Sequence, residues 1–292
     1  MTISYYQITI LDFMSDFFTA FTDPNLSFLR YALIAGVLSS LAFGVIGSFV
    51  VAKRISYLAG GISHSILAGI GFSLFLQVNY NAAWFSPIIG AVCAGLISAL
   101  IIGWISLKGR QREDTVIGAV WALGMAAGLI FLAKTPGYID PMSFLFGNIL
   151  LISLQDVWLI IGLDVLTITL TFIFYPFLMA VCFDEEYARI KGLKVEFYYL
   201  LLLTLIALTV VLLIRVVGIV LVIALLTLPP AIAGLFARKL WQMMVYAVIG
   251  CLIFILLGMW LSYNWNLPSG PTIILIAGTI YIIIALSRRW FN

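Results

Sequence analysis

The side chains in this sequence that could do chemistry are few, and most of them sit where water is scarce. His64 is the one histidine in 292 residues. It stands in Gly60-Gly61-Ile62-Ser63-His64-Ser65, within a stretch from Ile55 to Leu107 that contains no Asp, Glu, Lys or Arg. A neutral imidazole is a common ligand for transition metals, and small residues around it let a second backbone or a passing ion come close. The alternative is a histidine hydrogen-bonded to a neighbouring helix. Asp164 and Arg215 also interrupt apolar runs, and each is costly in hydrocarbon unless it faces a protein interior or water. Asp164 reads either as a partner of Arg215 or as part of a cavity, and Arg215 as a residue that snorkels to headgroups. Met125, Met142 and Met259 offer soft thioether sulfurs, although isolated methionines in apolar helices usually fill gaps.

Other chemistry is excluded more firmly. Cys93, Cys182 and Cys251 are scattered singly, so they build neither a disulfide framework nor a CxxC site. No GxxxxGK[ST], HExxH or GxSxG motif occurs, so the chain has no phosphate cradle and no recognisable hydrolase nucleophile. Any ATP must be hydrolysed on another chain. A net charge of +3 is too small and dispersed to argue for nucleic acid.

The elements that position these residues are transmembrane helices. The chain is 64% hydrophobic and 9% charged, whereas a soluble domain carries about 25% charged residues. Cutting the apolar runs at charges and turn residues gives nine candidate spans of about 20 residues. They cover 28–52, 56–78, 84–107, 115–134, 155–182, 197–214, 216–236, 241–263 and 270–287. Turns at Asn79, Asn81 and Pro87 and at Asn264 to Pro271 divide runs too long for one crossing. The span 216–236 is the weakest of the nine, because Pro229-Pro230 removes two backbone donors and would break a helix; eight full crossings plus a broken helix is the alternative. Gly124-x-x-x-Gly128 favours close helix packing, within the subunit or between subunits.

Basic residues fall at alternate loops. Lys53, Arg54, Lys108, Arg110, Arg112, Arg189, Lys191, Lys194, Arg238, Lys239, Arg288 and Arg289 all belong to one side, 12 of the 15 Lys and Arg. Because cytoplasmic loops collect positive charge, that side is expected to be cytoplasmic, with the C-terminus inside and the N-terminus outside. Residues 1–26 lack a basic start and an A-x-A site, so they are expected to remain as an interfacial or extracytoplasmic segment ahead of a transmembrane domain over 27–292. Residues 183–195, Phe-Asp-Glu-Glu-Tyr-Ala-Arg-Ile-Lys-Gly-Leu-Lys-Val, form the most polar segment. They predict a short helix stopped by Gly192, with acids at its start and bases toward its end. Tyr187, Ala188, Ile190 and Leu193 are expected on its inner face, and docking to a cytoplasmic partner accounts for the segment.

Several of these stretches together resemble the permease subunits of bacterial zinc, manganese and iron ABC importers. Residues 44–71 resemble that family's first cytoplasmic turn and the start of its second helix. Residues 183–195 resemble its coupling segment, residues 216–238 and Leu267-Pro-Ser-Gly-Pro271 its late signatures. The resemblance implies an all-α, polytopic helix bundle of about eight or nine transmembrane helices, similar to type II ABC importer permeases, in the bacterial inner (plasma) membrane. It implies a homodimer, an ATPase subunit that carries the ATP, an extracytoplasmic metal-binding protein, and a divalent metal as cargo with no cofactor in this chain. It assigns His64 and Asn148 to the metal pathway, to which Asp164 is added as an ionisable residue within a span, and Asp184, Glu185, Glu186, Tyr187, Ala188, Arg189 and Gly192 to ATPase coupling. The family usually carries Asp four residues before the histidine, where this chain has Gly60, and many relatives have Asp where Asn148 stands. An intramembrane enzyme pairing His64 with Ser39, Ser40 or Ser63 and an ATP-independent carrier or channel are the competing readings.

The charge bias yields a direct test of orientation. In a variant with its own three cysteines replaced, a cysteine at position 110 should resist membrane-impermeant thiol reagents in intact cells and react after permeabilisation.

Overall fold

The computed structural model describes residues 27–108, 112–137, 144, 145, 147 and 152–291. Asn148, Met142 and the segment 1–26 lie outside the described residues. Those described are helical, and no strand occurs among them. In chain order the helices are α1 (Ser27–Ala52), α2 (Ser56–Tyr80), α3 (Pro87–Lys108), α4 (Glu113–Lys134), α5 (Leu154–Ile173) and α6 (Tyr175–Phe183). Then come α7 (Glu185–Ile190), α8 (Val195–Val217), α9 (Ile219–Phe236), α10 (Leu240–Trp265) and α11 (Ser269–Phe291). Among the described residues eight helices are long and apolar enough to cross a membrane, and α8 adds a shorter apolar stretch, Val195–Val211. The protein is a multi-pass, all-helical membrane protein.

One sequence expectation is corrected. The span expected over 155–182 is two helices, because Pro176 cannot donate to the preceding turn and the chain re-starts as α6 after Phe174. The span over 216–236 is present, and its alternative, a break at Pro229-Pro230, is not: the pair lies inside a continuous α9. Pro229 cannot donate to Leu225 O, and Cys251 of α10 does so instead, with its Sγ 3.6 Å from that oxygen. Pro230 likewise frees Leu226 O, and Gly47 of α1 packs so close that a Cβ there would stand 2.5 Å from it. Neighbouring helices therefore re-satisfy or cover the carbonyls that the prolines release.

α2 lies at the centre of one group, packed on α3, α4, α8 and α9, while α1 packs on α10, α9 and α5. The α2/α4 contact is the most extensive helix pair. It is close because glycines meet backbone there: a Cβ on Gly128 would stand 2.6 Å from the carbonyl carbon of Leu67, and one on Gly71 2.6 Å from Gly128 O. Gly124 abuts the backbone of Ser65. The Gly124/Gly128 pair thus serves packing within the subunit, where small residues let van der Waals contact replace the missing hydrophobic drive. Asn81 (φ 53°) closes α2 and Asn266 (φ 54°) closes α10, each in the left-handed conformation that asparagine tolerates.

The end of α1, the end of α3, the start of α4 and the short helix α7 surround one polar cavity of about 300 Å³, lined among others by Lys53, Ser106, Glu113, Glu185, Arg189 and Tyr199. Three of the five basic segments that sequence charge assigns to one side therefore meet at one pole.

Glycine at 124 and glycine at 162 supply a matched pair of substitutions. Gly124→Ala drives a methyl into the Ser65 backbone and should destabilise by about 1–3 kcal/mol, whereas Gly162→Ala meets nothing within 4 Å and should be neutral or slightly stabilising. Thermal unfolding in detergent, followed by the loss of monodisperse protein, distinguishes them.

Candidate functional site

His64 lies eight residues into α2, about 12 Å along the helix axis, where Gly60, Gly61, Ser63 and Ser65 are buried beside it. Its ring stacks on Trp121 of α4, with centroids 4.3 Å apart and planes 11° from parallel. The close α2/α4 approach sets this spacing. His64 Nδ1 is enclosed and has no hydrogen-bond partner among the described residues. An enclosed, unpaired imidazole nitrogen costs free energy in an apolar medium, because nothing replaces its bond to water. Among the described residues no hydrogen bond ties Nδ1 to a neighbouring helix, and the ring packs on the indole face instead.

Trp121 was not singled out by sequence, since one tryptophan in an apolar helix carries no motif. It is the centre of the site. Its Nε1 donates to Met125 Sδ at 3.1 Å, one turn along α4, so that thioether serves the indole. Tyr57 packs against Trp121 at 5.8 Å. A Cβ on Gly60 would touch Trp121 Cζ3 at 3.4 Å, so the indole fills the space into which a larger side chain at 60 would extend. Met259 is buried in α10 as core.

Two of the three serines proposed as partners of His64 are engaged elsewhere. Ser63 donates to Ala59 O at 2.7 Å and Ser40 to Val37 O at 2.6 Å, within their own helices. Ser39 Oγ is buried without a partner among the described residues. No Ser–His hydrogen bond is present among them.

Asp164 is buried at 3% exposure on a stripe of α5 formed by Val157, Ile160, Asp164, Thr167 and Thr171. The main neighbours of α5 are α1 and α8, so Asp164 and His64 belong to different helix contacts. Neither Asp164 oxygen has a hydrogen-bond partner among the described residues. Arg215 falls in the last turn of α8; its side chain, and with it the pairing to Asp164, lies outside the described residues.

At the polar pole, 183–195 forms the helix that its sequence predicts. Asp184 caps α7 by accepting from Tyr187 N at 2.8 Å, and Gly192 ends the turn at φ +79°. Leu193 N donates to Ala188 O at 3.1 Å, which fixes the reversal. Ala188 is fully buried, but Tyr187 and Ile190 are 54% and 83% exposed, which corrects their expected inward placement. Six residues have room to bury only one side, and the charged start is anchored, so the aromatic and aliphatic side chains point away from the bundle. The three acids also divide. Asp184 is the cap, Glu185 pairs with Lys53, and Glu186 is exposed. Arg189 pairs with Glu196 of α8 at 3.0 Å.

The fold and these two features define a polytopic membrane protein with a half-buried histidine at a helix contact and a short helix exposing apolar side chains at one pole. Residues 25–288 match the ABC 3 transport family. The chain belongs to that family. The manganese transport system membrane protein MntC of Listeria monocytogenes is 35% identical over 257 residues, covering 88% of this chain and 89% of its own. The manganese import system permease protein ScaB of Streptococcus gordonii is 31% identical over 268 residues, covering 91% of this chain and 94% of its own. Among solved structures, PsaBC from Streptococcus pneumoniae in complex with Fab aligns with a TM-score of 0.81 at 30% identity, over 92% of this chain and 94% of that one.

The contact between Gly60 and Trp121 predicts non-additive substitutions. Gly60→Asp alone should lower thermal stability by about 1–3 kcal/mol, since a carboxylate beyond that Cβ crowds the indole. Gly60→Asp with Trp121→Ala should cost less than the two single changes summed, and only the double variant should gain stability on adding Mn²⁺.

Proposed function

We propose that this chain is the membrane-spanning permease of an ATP-driven importer for a divalent transition metal. His64 is the pathway ligand, and its enclosed, unpaired Nδ1 is the observation that carries the reading. An imidazole nitrogen held in place by a stacked indole can accept an ion without first breaking a hydrogen bond. One nitrogen without a neighbouring carboxylate holds an ion weakly, which suits a pathway that must also release it. Asn148 and Asp164 are proposed as oxygen donors elsewhere along the route, since Asp164 belongs to a different helix contact. Nitrogen and oxygen ligands accept zinc, manganese and iron, and the names of the two relatives make manganese the first ion to test.

The chain has no nucleotide cradle, so the energy comes from an ATPase subunit that docks on 183–195. Tyr187 and Ile190, exposed on α7, are the apolar part of that docking face, and Glu186 and Arg189 supply its charged rim. An extracytoplasmic binding protein delivers the ion, and a second copy of the chain completes the pathway, with the charged pole and the C-terminus cytoplasmic. The intramembrane-enzyme reading lacks the Ser–His contact it needs among the described residues.

Reconstitution with the partner subunits in lipid vesicles tests the proposal. Uptake of Mn²⁺ should require external binding protein and internal ATP, and His64→Ala should lower it at least tenfold while the protein still purifies as a folded complex. ATP-independent uptake would establish a carrier or channel instead, and normal uptake by His64→Ala would make His64 a structural residue.

A further inference from the structure

Lys53 lies one residue beyond α1, at the pole where charged side chains normally reach into water, yet its side chain is only 10% exposed. Its ammonium donates to Val181 O in the last turn of α6 at 3.0 Å and to the carboxylate of Glu185 in the first turn of α7. It also stands 5.1 Å from the ring centre of Tyr199 in α8. One charge thereby joins the end of α1 to three successive elements. Each contact suits a cation: the closing carbonyls of a helix carry partial negative charge, a carboxylate supplies a full one, and an aromatic face supplies its quadrupole.

The short helix α7 has few other ties to the bundle. Its backbone neighbours are chiefly α6 and α8, and its second ion pair, Arg189 to Glu196, is more than half exposed on both sides. Exposed pairs hold little. Among the described residues, the Lys53–Glu185 contact links α7 to the end of α1.

The turn between Lys53 and α2 is stiff. Ile55 N donates to Val50 O at 2.9 Å and Arg54 N to Val51 O at 3.1 Å, around an Arg54 held at φ +63°. This is the hydrogen-bond pattern of a closed helix terminus, and α2 starts directly after it at Ser56. A displacement of Lys53 therefore passes through a three-residue turn into the helix that carries His64, two turns further on.

We infer that Lys53 is the transmission residue through which movement of α7 reaches the α1/α2 turn and the pathway helix. The inference rests on the permease reading. Lys53 acts by position: it touches neither metal nor nucleotide, and its loss separates hydrolysis from transport.

The test uses the full complex with its ATPase and binding protein in vesicles, measuring Mn²⁺ ions taken up per ATP hydrolysed. Lys53→Met keeps the apolar stem and removes the charge, and it should lower that ratio at least tenfold. Lys53→Arg, which keeps a cation within reach of Glu185 and Val181, should stay within about threefold of wild type. Glu185→Gln, at a half-exposed position that cannot unfold the bundle, should lower the ratio at least threefold, and it carries the test if Lys53→Met does not assemble. An unchanged ratio in Lys53→Met, or in Glu185→Gln where the first variant fails to assemble, overturns the inference, as does a parallel fall of uptake and hydrolysis. Absence of ATP-driven uptake in the wild-type complex would overturn the permease reading instead, so the two failures are distinct.

Discussion

In hydrocarbon a backbone carbonyl cannot turn to water for a partner, and this constraint shapes every choice in the bundle. Helices satisfy it by themselves, except where the sequence removes a donor. At Pro229 and Pro230 two donors are missing in succession, and α9 stays continuous because α10 lends a thiol to Leu225 O and α1 brings Gly47 against Leu226 O. The same economy appears along α2, where Ser63, Ser65 and Ser73 return their hydroxyls to carbonyls of their own helix. Polar side chains that do not return to the backbone then stand out. Among the described residues these include His64, Asp164 and Ser39.

The site arises from the same packing. With little hydrophobic drive between helices in lipid, α2 and α4 associate through surfaces small enough to meet backbone to backbone. Gly71, Gly124 and Gly128 provide that surface, and only at this separation do an imidazole on one helix and an indole on the other stack face to face. The ring of His64 is consequently held without a hydrogen bond, and its nitrogen edge stays free for other chemistry. At the pole the logic reverses. There α7 is too short to hold itself against the bundle by packing, and charge does the work through Asp184, Glu185 and Lys53.

Much of this was legible in the sequence, and the exceptions share a cause. Span positions can be read from hydropathy because each span must be apolar whatever it packs against. The helix at 183–195 and its stop at Gly192 obey local capping rules. His64 stands out because a histidine in a charge-free run is rare. Trp121 did not, because its importance comes from Gly60 leaving space on the facing helix, and no pattern within α4 records that. Lys53 looked like one of twelve topology-setting cations, and only the fold shows that its side chain turns inward. The continuity of α9 was left open in the sequence for the same reason: Pro229 and Pro230 argue for a break in isolation, and the groups that answer them lie on α1 and α10.

The contact between Gly60 and Trp121 also ties two distant positions together. An ideal Cβ at 60 would stand 3.4 Å from the Trp121 ring, so a larger side chain there grows toward the indole. The two positions, sixty-one residues apart in sequence, therefore share one space: the aromatic cover over His64 is kept by the smallest residue facing it, and the site is tuned by volume on one helix and by ring area on the other.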